Sequence, residues 1–375
     1  MTQEDKNKFD ALVKANREWS ELELSKEILS SLRRILTEIY STNAHFIYEL
    51  LQNAEDQAAK RVEFVLSDGE LVFRHDGKLF SFKDVESISK VACSTKSKDD
   101  TRIGKFGVGF KSVFSYTDEP EIHSGEWYFK IKDLVVPDAV AVDNQQPQTS
   151  DSYGTTFRFP LGCPTKSPKA AYDEICSGLN VLSARAILFL QHIEEISIRI
   201  GNRHILLKRS LNGNLITLSR EVEGDGTASL MRFIRFVKEV EINTDEDGSS
   251  IVKKLPIGLA YLLSLKEGGA DDGDMSHYSI VPSYDKNVFI YFPAEKELSN
   301  LRFCIHGAFA PTVNRDSIRT DDRDNSTLMG KLVELQKDSF EFLKRNGFLT
   351  TDFLAILPNS GDNLVGGYKK YWLCS

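Results

Sequence analysis

The chain has 375 residues, 41% hydrophobic and 27% charged, with 47 Lys and Arg against 55 Asp and Glu and a formal net charge of −8. At roughly 100–200 residues per domain, this length predicts two domains or three, with a core large enough to need no disulfide or metal staples. The composition excludes collagen-like, coiled-coil and disordered classes over most of the length, and the acidic balance gives no bulk footprint for nucleic acid.

The opening MTQEDKNKFD is charged and lacks a signal-peptide core, and no run approaches the ~18 apolar residues of a membrane span. Cys93, Cys163, Cys176, Cys304 and Cys374 are odd in number and scattered, and no CxxC or HExxH spacing occurs. That usage predicts a reduced, cytoplasmic protein without structural zinc and without a membrane partner.

In chain order, Leu22, Leu24, Ile28, Leu32, Ile35, Leu36 and Ile39 give residues 1–40 a helical rhythm. A second helix is expected over 43–60. RVEFVL and ELVFRH read as a hairpin turning at Ser67-Asp68-Gly69. STKSKDDTR (94–102) reads as a polar loop feeding GKFGVGFKSVF and a helix. Strands follow at PEIHSGEWYFKI and YGTTFRFPL, then a helix over 168–191. Beyond it come EISIRI, RHILLKRS, LITLSR and MRFIRFVKEVEI as strands, with EINTDEDGSS and GGADDGDM as acidic tips. SIVPSY, NVFIYFP and LRFCIHGAFA follow, and STLMGKLVELQKDSFEFLKR closes as a helix. Both halves are therefore α+β rather than alternating βαβ, with a boundary around 165–185.

Four segments carry candidate chemistry. In ELLQNAEDQAAK (49–60), helical geometry puts Glu49, Asn53 and Asp56 within about 60° of one another, opposite Ile47, Leu50, Leu51, Ala54 and Ala58. An amide oxygen suits Mg²⁺, and a carboxylate one turn away suits taking a proton from water that attacks a phosphate. In IGKFGVGFKSVF (103–114), Gly104, Gly107 and Gly109 let backbone N–H groups converge on phosphate oxygens ahead of a helix. FRHDGKLFSFKDV (73–85) puts an imidazole and a carboxylate directly after a strand, where either can read an exocyclic amine. Gly154-Thr155-Thr156 places hydroxyls at the head of another strand. Each has an ordinary alternative: a polar helix stripe, a tight glycine turn, an Asp-Gly strand ending, threonines in a strand. A P-loop is excluded, because Phe110 intervenes between Gly109 and Lys111-Ser112. A dinucleotide fingerprint fails as well, because no strand precedes the glycines.

It is the order of the four that is specific. Together they resemble the GHKL ATPase superfamily, which includes gyrase, heat-shock chaperones and histidine kinases. HDGKLF…STK…GKFGVGFKS is most similar to its sacsin-type branch, over residues 40–165. The resemblance implies a Bergerat-type α/β sandwich that binds ATP and Mg²⁺ over 41–170, after a helical segment at 1–40. It further implies an S5-like α+β transducer domain over 171–346, with a C-terminal tail at 347–375. Glu49 would activate water, Asn53 would ligate Mg²⁺, and Asp56 and Lys60 would lie near the nucleotide. Gly104, Lys105, Phe106, Gly107, Val108, Gly109 and Phe110 would form the phosphate loop. Ser94, Thr95 and Lys96 would form a lid, and Thr155 would stand beside the adenine. Related families read D-x-G-x-G at the adenine motif. Aligning Gly77 puts His75 at the aspartate and Leu79 at the second glycine, and Asp76 is favoured for the base contact. In CIHGAFAPTVNRDSI, Asn314 and Arg315 follow an apolar strand, and Arg315 would neutralise the γ-phosphate. Lys111 is a second basic candidate.

The expected function is slow Mg²⁺-dependent ATP hydrolysis that drives lid and domain closure, chaperone-like or defence-associated. The family adds a homodimer and a protein partner or client; nucleic acid is not indicated. One alternative is a non-hydrolysing, ATP-gated interaction module of a larger assembly. Another is a histidine kinase, disfavoured because no histidine lies on the helix ahead of residue 43.

Overall fold

The computed structural model describes residues 2–39, 46–90, 109–141, 153–224, 226, 228–246, 249–285, 287–294, 296–312, 317–319, 321–359, 364–365 and 368–373. The chain divides into two compact units. The first holds 1–182, 191–207 and 221–227, and the second 183–190, 208–220 and 228–375. Both are α+β, as the sequence predicts.

The first unit opens with two helices where the sequence predicts one, α1 (Gln3–Ser20) and α2 (Glu23–Ile39). Thr2 caps α1 by accepting the Asp5 N–H, and Glu4 and Asp5 complement the positive end of the helix dipole. Phe9 and Leu12 are buried one turn apart, and Asn16 Nδ2 donates to the carbonyls of Ser89 (3.1 Å) and Val135 (2.8 Å). Next comes α3 (Phe46–Asp56), which stops short of residue 60 because Ala58 turns to φ 56°.

Strands β1 (Arg61–Ser67) and β2 (Glu70–His75) form the expected hairpin, with Ser67 opposite Glu70 across Asp68-Gly69. Helix α4 (Phe82–Ile88) starts at Ser81, whose backbone N–H and hydroxyl both donate to Asp84 Oδ2. A 3-10 helix (Phe110–Ser115), rather than an α-helix, follows the glycine segment. It leads to β3 (Glu121–Ser124), β4 (Trp127–Lys132), β5 (Val136–Ala139) and β6 (Thr155–Pro160). Helix α5 (Pro168–Val181) begins at the Ser167 cap with proline in its first turn. It ends ten residues before the predicted 191, because Leu182 is extended and Ser183 caps a separate 3-10 turn, Ala184–Ile187. Strand β7 (Glu195–Ile200) returns to pair parallel with β1, giving the order β7-β1-β2-β6-β3-β4-β5 with every other pairing antiparallel. Buried Glu63 on β1 joins Arg74 on β2 (2.9 Å) and Arg199 on β7 (3.1 Å).

Strands β8 (Arg203–Asn212) and β9 (Leu215–Val222) each contribute residues to both units. The second unit is built on a long hairpin of β10 (Ala228–Glu246) and β11 (Ser249–Leu265), in register from Arg232 opposite Leu263 to Glu246 opposite Ser249. Four short strands complete it: β12 (Tyr278–Ile280), β13 (Val288–Ile290), β14 (Phe292–Pro293) and β15 (Cys304–Gly307). Helix α6 (Arg323–Arg345) covers the hairpin, with the Phe342 ring 5.4 Å from Phe236 and Ser339 Oγ 3.2 Å from the Tyr261 hydroxyl. Two short helices follow, α7 (Thr351–Leu354) and α8 (Tyr368–Leu373), and Tyr368 donates to Gln336 Oε1 of α6 at 2.6 Å. Among the described residues no helix is long and apolar enough to cross a membrane, and Cys163, Cys176 and Cys304 are free thiols.

Candidate functional site

The strand–Asp-Gly segment, the residue after the glycines and the Gly-Thr strand meet at the buried ring of Phe157 on β6, with Phe73 (5.9 Å), His75 (6.1 Å), Phe80 (6.0 Å) and Phe110 (5.9 Å) around it.

Helix α3 touches two of the other segments. At its N-terminal end Glu49 is only 5% exposed. A Cβ built on Gly109 would lie 2.1 Å from Glu49 Oε2, so the last glycine of GKFGVG is the surface on which that carboxylate rests. Asn53 and Asp56 follow along the helix, both half-buried. At the far end Gly77 fits against the helix exit. A Cβ there would meet the Gln57 carbonyl oxygen at 2.7 Å, and Lys78 N–H donates to that oxygen at 2.9 Å. Glycine at 77 is thus explained by a close backbone approach.

The two residues offered for the base contact have different surroundings. Asp76 turns its carboxylate to the start of β1. Oδ1 accepts the backbone N–H of Lys60 (2.8 Å) and Arg61 (2.9 Å), and Oδ2 accepts Arg61 Nε–H (3.1 Å). Burial pushes its pKa up, but these hydrogen bonds and the Arg61 charge outweigh that and hold it below the usual value. Asp76, favoured from the sequence, is therefore engaged in holding the strand. His75 is 1% exposed, and its Nδ1 accepts the Gly77 N–H at 3.2 Å. Burial outweighs the nearby Asp76 charge and pulls its pKa to about 4, so the ring is neutral at pH 7 with its proton on Nε2. Among the described residues Nε2 has no hydrogen-bond partner.

Directly across the β2–β6 ladder from His75 is Thr155, fully buried. Its hydroxyl lies 2.6 Å from Ser124 Oγ, which accepts the Phe80 N–H at 2.9 Å. Leu79, which replaces the second glycine of the motif, rests on two other glycines. A Cβ on Gly154 would fall 2.6 Å from Leu79 Cδ2, and one on Gly125 3.3 Å from Cδ1. The bulk added at 79 is accommodated by its absence at 125 and 154.

Other residues fall elsewhere. Lys60 is exposed, with Nζ 3.7 Å from Glu194. Lys111 is fully buried and donates to the carbonyls of Ile88 (2.7 Å) and Leu134, and burial lowers its pKa to about 7. Ser94, Thr95, Lys96, Gly104, Lys105, Phe106, Gly107, Val108, Asn314 and Arg315 lie outside the described residues. Sequence reasoning missed Ser124 and Glu55. Glu55 is buried, and its carboxylate accepts the backbone N–H groups of Gln191 (2.5 Å), His192 (2.9 Å) and Ile193 (2.9 Å). No local pattern marks it, because its partners are 136–138 residues away. Ser124 had a signal in Ser124-Gly125 between two strands, which reads equally well as a plain turn.

Residues 25–149 match the Sacsin domain family. The sacsin-type resemblance read from the motifs is borne out by this match. The chain is 25% identical over 366 residues, 91% of its length, to Protein NO VEIN of Arabidopsis thaliana. It is 24% identical over 215 residues, 43% of its length, to human Sacsin. It spans only 12% and 5% of those two proteins. Among solved structures, the B-subunit of DNA gyrase from Myxococcus xanthus aligns at TM-score 0.42 and 11% identity, over 78% of this chain and 90% of that one. The N-terminal domain of a DNA repair protein aligns at TM-score 0.38 and 12% identity, over 73% and 86%. At such scores neither likeness carries the sacsin-like reading further.

Proposed function

We propose that the first unit of this sacsin-like chain binds ATP with Mg²⁺ and hydrolyses it slowly, as a switch between open and closed arrangements. The observation that carries this reading is the packing of Glu49 Oε2 against Gly109. It holds a buried carboxylate against the exit of the glycine loop, where a water attacking a terminal phosphate would need a base. The residues fit the group: a glycine whose Cβ would fill the cradle, an amide one turn beyond the carboxylate, and a buried imidazole whose remaining N–H is unmatched among the described residues.

In this reading Glu49 takes the proton of the attacking water, and Asn53 offers its amide oxygen to Mg²⁺, which when bound offsets charge on the phosphate oxygens. Gly104 to Phe110 wrap the phosphates, Ser94 and Thr95 close over them, and Asp56, His75, Gly77 and Thr155 line the nucleoside end. Lys60 adds positive charge near the nucleotide, and Arg315 neutralises charge that develops on the γ-phosphoryl group. ATP stabilises the closed arrangement by contacts that hydrolysis removes. Dimerisation, a chaperone-like or defence role and a cytoplasmic setting are extensions of the sacsin-type resemblance.

ATP binding and turnover by the wild type, Glu49→Ala and Arg315→Ala test the proposal. Glu49→Ala is expected to bind ATP and lose hydrolysis, and Arg315→Ala to bind and turn over poorly. Equal turnover in all three refutes the assigned roles. Binding without any turnover, unaltered in Glu49→Gln, selects the non-hydrolysing, ATP-gated module instead.

A further inference from the structure

We infer that His75 reads the nucleobase as a hydrogen-bond donor, so that the site accepts a 6-oxopurine at least as well as the 6-aminopurine of ATP. The inference rests on the nucleotide reading above and concerns which base that site prefers.

Donor and acceptor count sets the preference. A carboxylate at this position would accept from an exocyclic amine. His75 has no acceptor to offer, because Nδ1 already takes the Gly77 N–H at 3.2 Å. What remains is Nε2–H, on a side chain 1% exposed and without a partner for that atom among the described residues. With Nδ1 held as the acceptor, that N–H is left for an acceptor on a ligand. A 6-amino group facing Nε2–H would oppose two donors, whereas a 6-oxo group supplies the missing acceptor.

The neighbours do not reverse this polarity. Asp76, the nearest carboxylate in sequence, has both oxygens engaged by Lys60 and Arg61. The hydroxyls of Thr155 and Ser124, 2.6 Å apart, share one hydrogen between them and can turn the other to either base. They tolerate both and favour neither.

Calorimetric titration of the wild-type chain with ATP, inosine triphosphate and GTP, each with Mg²⁺, tests the inference. Inosine triphosphate changes the amine to a carbonyl and adds no 2-amino group. Its Kd is expected at or below that of ATP. The substitution His75→Asp, which restores an acceptor, is expected to move the ratio toward ATP by about tenfold, a difference of about 1.4 kcal/mol. A wild type that binds ATP more than about threefold more tightly than inosine triphosphate overturns the inference, whether or not the variant folds. So does an unchanged ratio in folded His75→Asp. A chain that binds none of the three nucleotides overturns the nucleotide reading itself, which separates the two failures.

Discussion

Gly109 and the Glu49 carboxylate compete for one space: a Cβ on the glycine would fall 2.1 Å from Oε2. The glycine is at φ −54°, ψ −54°, right-handed helical backbone that any residue adopts, so conformational freedom does not account for it. What excludes a side chain is the carboxylate. Because that carboxylate ends a flexible chain, alanine can be admitted if Glu49 swings aside. Gly109→Ala is therefore expected to cost about 1–3 kcal/mol of stability. Under the proposed function it is also expected to lower ATP turnover by about 100-fold, the loss typical of a reacting group displaced by about 1 Å. Thermal melts beside steady-state turnover check this; undiminished turnover would show that the contact has no part in hydrolysis.

Asp76 makes the opposite prediction, of a residue that matters to the fold and little to the base. Its carboxylate accepts three N–H groups at the start of β1. Asp76→Ala is expected to cost about 1–3 kcal/mol at pH 7, through donors left unmatched. The pH dependence follows from the direction of its shift. The folded pKa is depressed, so this stabilisation is complete above the unfolded value near 4 and fades as pH falls through the folded one. Urea unfolding at pH 7 and pH 3 should show the gap between wild type and variant narrowing in acid, while the ATP to inosine triphosphate ratio stays put.

The elements legible in the sequence were those whose determinants are local. Asp68-Gly69 between two β-rich runs gave the β1–β2 hairpin, and the apolar repeat of 326–345 gave α6, which starts three residues earlier at Arg323. The seventeen residues of β11 were not legible, because Pro256 and Gly258 interrupt any strand pattern. The ladder tolerates them, since Pro256 lies opposite Glu239 and its carbonyl accepts the Ala308 N–H at 3.3 Å. The helix expected over 168–191 ran too far because Ile187, Leu188, Phe189 and Leu190 look like a helical continuation. All four are buried as a 3-10 turn and its exit. At the site, residue types and order singled out Glu49, Gly77 and Gly109, and the fold sets Gly109 against Glu49 and Gly77 against Gln57. The engagement of Asp76 and the polarity of His75 depend on which backbone groups approach them, and the sequence carries no record of that.

Glu55 joins α3 to the segment that enters β7, accepting the backbone N–H groups of Gln191, His192 and Ile193, of which Ile193 is buried. Glu55→Ala is expected to destabilise the chain by about 2–4 kcal/mol, more than Glu55→Gln, whose single amide oxygen keeps part of the set. Chemical denaturation of the two variants gives the ordering. Equal loss in both would mean that helix packing, rather than the carboxylate, makes the link.

Lys111 supplies a prediction at alkaline pH. Its ammonium lies in the interior between the carbonyls of Ile88 and Leu134, and burial lowers its pKa from 10.5 to about 7. Between those values the unfolded chain holds a proton that the folded chain has released, so unfolding takes up a proton and stability rises with pH. Below about pH 7 both states are charged and the penalty of burying that charge is fully present. One such group contributes a slope of up to about 1.4 kcal/mol per pH unit. Lys111→Met removes the titrating group while keeping the length of the side chain. The stability of the variant measured from pH 7 to pH 10 should therefore lack the upward slope of the wild type, so that the difference between the two changes steadily across the interval. Parallel curves would show that the lysine keeps its proton inside the fold, shared between the two carbonyls.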